Sequence, residues 1–87
     1  MKIVINVCFG GFSIKEEIAN QYGFNIYFES RTNKKLIELI ESGVDCNGYC
    51  SKLAVVDIPD QVTDYFIDDY DGCERVVYVV DGKIYFT

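Results

Sequence analysis

The chain has no histidine, and that absence removes more chemistry than any single residue supplies. Without imidazole there is no Cys–His or Ser–His–Asp nucleophile. A catalytic zinc keeps an open position and usually has histidine among its ligands, so a shell closed by four cysteines would be structural. Long apolar runs are lacking too, since nothing approaches the ~20 apolar residues of a membrane-spanning helix. The opening Met1-Lys2-Ile3-Val4-Ile5-Asn6 is broken by Asn6 and then by Gly10-Gly11. It has neither the h-region nor the small-residue cleavage site of an export signal, so a cytosolic chain is expected. Repeats, linkers and low-complexity segments are also absent.

Positive charge is scarce, and unevenly so. The net charge is −6. Residues 1–44 hold five acids and five bases, whereas residues 45–87 hold nine acids against Lys52, Arg75 and Lys83. The whole excess lies in the second half, with seven acids between Asp57 and Glu74. Nucleic acid and anionic membrane need cationic surface and are poor partners for such a chain. A basic protein surface is a good one. Acidic surface also serves solubility alone, and that reading stays open.

Four cysteines stand against these absences. Cys46 and Cys50 bracket the loop Cys46-Asn47-Gly48-Tyr49-Cys50, Cys8 lies near the end of an apolar run, and Cys73 follows Asp71-Gly72. In a cytosolic chain clustered cysteines bind metal more often than they form structural disulfides. The C-x₃-C spacing lies within that seen between paired zinc ligands. Cys8, Cys46, Cys50 and Cys73 are therefore nominated as a closed, structural Zn²⁺ site. Unlinked core thiols, a redox pair and two disulfides are the alternatives. Asp68-Asp69-Tyr70-Asp71-Gly72 fails as a calcium loop, because that register puts Ile67 and Tyr78 at ligand positions. No spacing singles out a carboxylate pair for acid–base work, and a Gly10-Gly11 phosphate cradle matches no nucleotide motif.

At 87 residues, with 49% hydrophobic content, seven Tyr and six Phe, one domain spanning 1–87 with a real core is expected. Lys2 to Phe9 alternates as a strand with Ile3, Ile5, Val7 and Phe9 on its apolar face. Ser13 and Glu16 fit a capping box for a helix from Ile14 to Tyr22, stopped by Gly23. Phe24 to Phe28 reads as a short strand. Thr32 or Asn33 caps a second helix with Leu36, Ile37 and Ile40 inward and Gly43 at its end. Leu53 to Ile58 is a strand stopped by Pro59. Val62 to Tyr70 fits helix or strand and is taken as strand. Arg75–Val80 and Lys83–Phe86 flank Asp81-Gly82, a type I′ hairpin signal. The expected fold is α+β: one mainly antiparallel sheet, two helices on one face and a C-terminal hairpin. The zinc assignment requires Cys8, the loop after the second helix and the Asp71-Gly72 turn to converge.

Asn6-Val7-Cys8-Phe9-Gly10-Gly11-Phe12-Ser13 and Tyr70-Asp71-Gly72-Cys73-Glu74 resemble small acidic proteins of phages and prophages of low-GC Gram-positive bacteria. Within that group the chain is similar to type II-A anti-CRISPR proteins, and its cysteines suggest a zinc-containing member. The resemblance implies a non-enzymatic inhibitor, acting in the host cytoplasm, that binds a type II RNA-guided effector nuclease. It supplies no catalytic residues. Asp64, Asp68, Asp69, Asp71 and Glu74 are nominated for the contact, as carboxylates offered to a surface that normally takes phosphates. A phage interaction module with another host target, or a small-ligand binder using Gly10-Gly11, are the competing expectations.

Overall fold

A computed structural model describes residues 1–87. Its order is β1 (Lys2–Asn6), α1 (Glu16–Tyr22), α2 (Lys34–Glu41), β2 (Leu53–Asp57), β3 (Asp64–Tyr70), β4 (Cys73–Val80) and β5 (Lys83–Phe86). The class is α+β, but the strands form two antiparallel sheets, β1-β2 and β3-β4-β5, where one sheet was expected. No helix is long and apolar enough to cross a membrane.

β1 lies between the other layers, and its sequence has an apolar residue for each. Ile3 and Ile5 pack with Ile58 and Val76, against the three-stranded sheet. Val4, on the other face, joins Phe12, Ile14, Ala19, Leu36, Ile37, Leu39, Cys46 and Leu53 beneath the helices. The strand stops at Asn6, so Val7 and Phe9 are exposed and do not extend the apolar face.

The division into two sheets has a local cause. β2 occupies one edge of β1, in the register Ile3↔Val56 and Ile5↔Ala54. On the other edge Val4 N–H donates to the Arg31 carbonyl at 2.7 Å, and Asn6 N–H donates to Glu74 Oε1 at 2.8 Å. The Arg31 guanidinium meets Glu74 through both oxygens, at 2.7 and 2.9 Å, and also reaches the Val4 carbonyl. A loop and an ion pair thus satisfy the edge that another strand would have taken. The Arg31 guanidinium also lies 3.7 Å from the Phe12 ring centroid.

Helix caps differ from expectation at one end of the pair. Asn33 caps α2, its side chain accepting from Lys35 N–H and Leu36 N–H. α1 starts at Glu16 after Lys15 and has no side-chain cap. Ser13 is buried instead, and its carbonyl takes Gly48 N–H and the Ser51 hydroxyl. Gly23 closes α1 in the left-handed region, at φ 75°. Residues 26–28 form a turn and residues 24–25 no regular element, where a strand was expected. The Asn25 side chain accepts from Tyr27 and Phe28 N–H, and such an Asx turn outcompetes a short apolar run for the backbone.

The strand reading of Val62 to Tyr70 holds from Asp64 onward, and the C-terminal hairpin forms as expected. Asp81 and Gly82 have φ 51° and 75°, both positive as type I′ geometry demands. Asp71-Gly72 is a second turn of the same kind, at φ 52° and 86°, joining β3 to β4.

Candidate functional site

Three loops meet where the cysteines lie. Gly10 N–H donates to the Asp71 carbonyl at 3.0 Å. The Asn6 amide, fully buried, donates to the carbonyls of Cys8 and Gly72 and accepts from Lys52 N–H. The approach leaves no room for side chains: a Cβ on Gly72 would stand 2.7 Å from Gly11 Cα, and one on Gly10 would stand 2.7 Å from Cys50 Cβ. The loop convergence that the zinc assignment required is therefore present.

The sulfurs themselves do not make a metal shell in this arrangement. No three of the cysteine, aspartate and glutamate side chains are grouped so that they could hold an ion. Cys46 is 2% exposed and belongs to the apolar core under the helices. Burial pushes its thiol above the ordinary value, Asp45 adds to this, and Lys15 opposes it. Cys8 is half-buried, its Sγ 3.3 Å from the Cys50 carbonyl and 3.4 Å from Asn6 Oδ1. Cys50 is exposed, and Cys73 is half-buried at the start of β4. None of the four forms a disulfide.

A cavity of about 560 Å³ opens beside this junction, with Gly10, Gly11, Lys15, Asn47, Tyr49 and Cys50 in its wall. A larger one, about 720 Å³, lies between the start of β1, α2 and Tyr65. Lys2, Lys34, Glu38 and Glu41 line it, and Lys2 pairs with Glu41 at 2.9 Å. Neither cavity encloses the nominated carboxylates.

Those carboxylates separate on the three-stranded sheet. Side chains alternate between faces along a strand. Ile67, Val76 and Tyr78 point inward against Ile3, Ile5 and Ile58. The register then puts Asp64, Phe66, Asp68 and Tyr70 outward on β3, with Arg75, Val77 and Val79 on β4 and Ile84 and Phe86 on β5. Phe66, Ile84 and Phe86 are 58%, 71% and 62% exposed. Arg75 bonds Asp68 at 3.1 Å and lies over the Phe86 ring at 4.5 Å. Asp71 stands at the turn, and Asp69 accepts Gly72 N–H at 2.7 Å. Glu74 is corrected here, because its carboxylate is 5% exposed and held by Arg31 and Asn6. It belongs to the interior and is not free for a partner.

The sequence reading missed Asn6 and Arg31. A lone amide in an otherwise apolar strand was the available signal, since a buried polar group must find partners. The count of Tyr and Phe that promised a core did not say which of them the sheet leaves exposed. Compared with known protein families, curated proteins and solved structures, the chain matches none.

Proposed function

We propose that the protein is a stoichiometric binding protein, not a catalyst. It lays the outer face of the three-stranded sheet on a cationic surface that otherwise takes nucleic-acid phosphates. The target named by the resemblance is a type II RNA-guided effector nuclease in a bacterial host cytoplasm. The observation that carries this reading is one open face combining Phe66, Ile84 and Phe86 with Asp64, Asp68 and the Asp71 turn. Apolar anchors supply affinity when desolvated, and carboxylates around them supply steering toward Lys and Arg. Effector channels are lined with those cations.

The test titrates the protein against nuclease–guide complex and follows target-DNA cleavage. Cleavage should fall to zero near one equivalent, and the Asp64→Lys/Asp68→Lys double variant should associate more slowly while remaining folded. Wild-type association should slow as salt rises, because steering is screened over about 8–10 Å. Unchanged cleavage at several-fold excess overturns the reading.

The cavity beside Gly10 and Gly11 supports a second reading, a small-ligand binder, since about 560 Å³ lies in the range of ligand sites. Amide shifts confined to residues 10–16 and 47–50 on adding inorganic phosphate would favour it. Zinc remains a separate proposal that needs Cys46 to turn out of the core. Elemental analysis finding one zinc per chain, lost in Cys50→Ser, supports it; metal-free protein with four titratable thiols overturns it.

A further inference from the structure

The two free edges of the three-stranded sheet are not alike. On β3 the edge is blunted: Asp64, Asp68 and Asp69 lie along it, and Asp64 Oδ1 already takes Tyr65 N–H at 2.9 Å. Charge and occupied donors of this kind discourage a further strand. β5 carries Lys83 and no acid, and all four of its residues are exposed.

Which backbone groups of β5 face outward follows from the hairpin. A two-residue turn closes on a hydrogen-bonded pair, here Val80↔Lys83. Inward bonding then alternates, through Tyr78↔Tyr85 to Thr87 N–H on the Val76 carbonyl at 3.0 Å. The N–H and C=O of Ile84 and Phe86 therefore point away from β4, with no partner.

We infer that this edge pairs with the β5 edge of a second copy, making one continuous antiparallel sheet from the two three-stranded sheets. Side-chain facing sets the parity of the register, and of the registers it allows one alone pairs the outward groups of both Ile84 and Phe86 in each copy. Ile84 of one copy stands opposite Phe86 of the other, each pair exchanging both outward hydrogen bonds, and the two Tyr85 residues meet on the two-fold axis. Ile84 and Phe86 then cover each other across the new seam on the outer face, and on the inner face the Tyr78–Tyr85 stack, with centroids 5.6 Å apart, continues into its symmetry mate. Charge selects this edge over the other. Two β3 edges would gather six aspartates at one seam, Asp64, Asp68 and Asp69 from each copy, whereas two β5 edges bring no acid together. The interface is small for a permanent dimer, so association is reversible and concentration-dependent. Each copy carries net charge −6, so added salt strengthens the dimer by screening repulsion, opposite to its effect on a cationic partner.

Light scattering coupled to size-exclusion chromatography over a wide concentration range reads the proposal directly. The wild type should pass from monomer to dimer, at lower concentration in high salt. Ile84→Pro removes one outward donor and no β4 hydrogen bond, and proline is tolerated where a strand's N–H faces solvent. It should weaken the dimer by at least about tenfold, equivalent to ~1.4 kcal/mol. A second variant guards against misfolding in the first. Tyr85→Cys places a thiol on the axis, so mild oxidation should trap more covalent dimer than in the wild type or Ile84→Cys. A wild type monomeric throughout, a dimer indifferent to Ile84→Pro in folded protein, or equal trapping through Ile84→Cys overturns the inference.

Discussion

The two sheets treat the same kind of ion pair in opposite ways. Under the two-stranded sheet Arg31 grips Glu74 by both oxygens, with side-chain exposures of 23% and 5%, and the strand edge is finished by the pair. On the three-stranded sheet Arg75 touches Asp68 once, at 3.1 Å, with exposures of 49% and 46%. The edge of β1 is closed by polar groups from a loop, Arg31, and from β4, Glu74. The three-stranded sheet leaves aromatic rings and carboxylates exposed and a backbone edge unpaired, and those are the features that point to other molecules.

The sharpest way to break the comparison is to delete one acid from each pair. Glu74→Ala strands a half-buried guanidinium and the buried Asn6 N–H, and should cost about 3 kcal/mol. Asp68→Ala should cost about 0.2–1 kcal/mol, in the range of exposed pairs. Urea unfolding of both variants checks the contrast, and equal losses would show that the Arg31–Glu74 pair does not organise the interior.

The paired Asp-Gly turns sharpen it further. Asp71-Gly72 and Asp81-Gly82 share sequence and backbone sign, yet they sit in different surroundings. A Cβ at Gly82 meets nothing within 4 Å, so Gly82→Ala should cost only the left-handed strain, about 1–2 kcal/mol. At Gly72 the added carbon collides with the backbone of Gly10 and Gly11, which adds overpacking of about 1–3 kcal/mol. Melting temperatures that fall equally would mean the three-loop junction yields without cost.

Those turns also show what the sequence made readable. Asp81-Gly82 between β-rich runs identified its hairpin because turn chemistry is local. Asn33 before an amphipathic stretch identified α2 for the same reason, and so did the Gly23 stop. Phe24 to Phe28 misled because Asn25, a side chain that competes for backbone donors, lay inside the apolar run. The split into two sheets was hidden in a contact between Glu74 and residues more than forty positions away. Glu74 reads as one more acid in an acidic stretch until Arg31 and Asn6 are seen beside it. The cysteines show the limit from the other side: the zinc assignment required their loops to converge, but the direction of each side chain depends on packing, and Cys46 packs inward. Nothing in period-two alternation says whether the second face of a sheet is covered, so the exposure of Phe66, Ile84 and Phe86 was not legible.

A smaller effect tests the helical layer. Asn33→Ala removes the acceptor for Lys35 and Leu36 N–H, and the donor to Glu29 at 3.1 Å. A loss of about 1 kcal/mol is expected, with α2 fraying from its start. Amide exchange at Lys35 and Leu36 should rise before exchange in β1, and unchanged protection there would show that packing alone holds the helix end.

The smallest expected effect is a pH dependence in the loop that replaced the expected second strand. The Glu29 carboxylate accepts from Asn25 N–H at 2.9 Å, from Ser30 N–H at 3.0 Å and from the Asn33 amide. These bonds, the Asn25 one foremost, hold its carboxyl below the ordinary value of 4.5 against a smaller opposing effect of burial. A carboxylate with a depressed folded value contributes stability that is present above the unfolded value and is lost as pH falls through the folded one. The gap in urea midpoint between wild type and Glu29→Gln should therefore be open at neutral pH and close below 4.5. Other acids titrate in both proteins alike and drop out of the difference. A gap that stays constant into acid would show that Gln serves the turn's geometry as poorly when Glu29 is protonated as when it is charged, and that the carboxylate's charge adds nothing to a loop the backbone already closes.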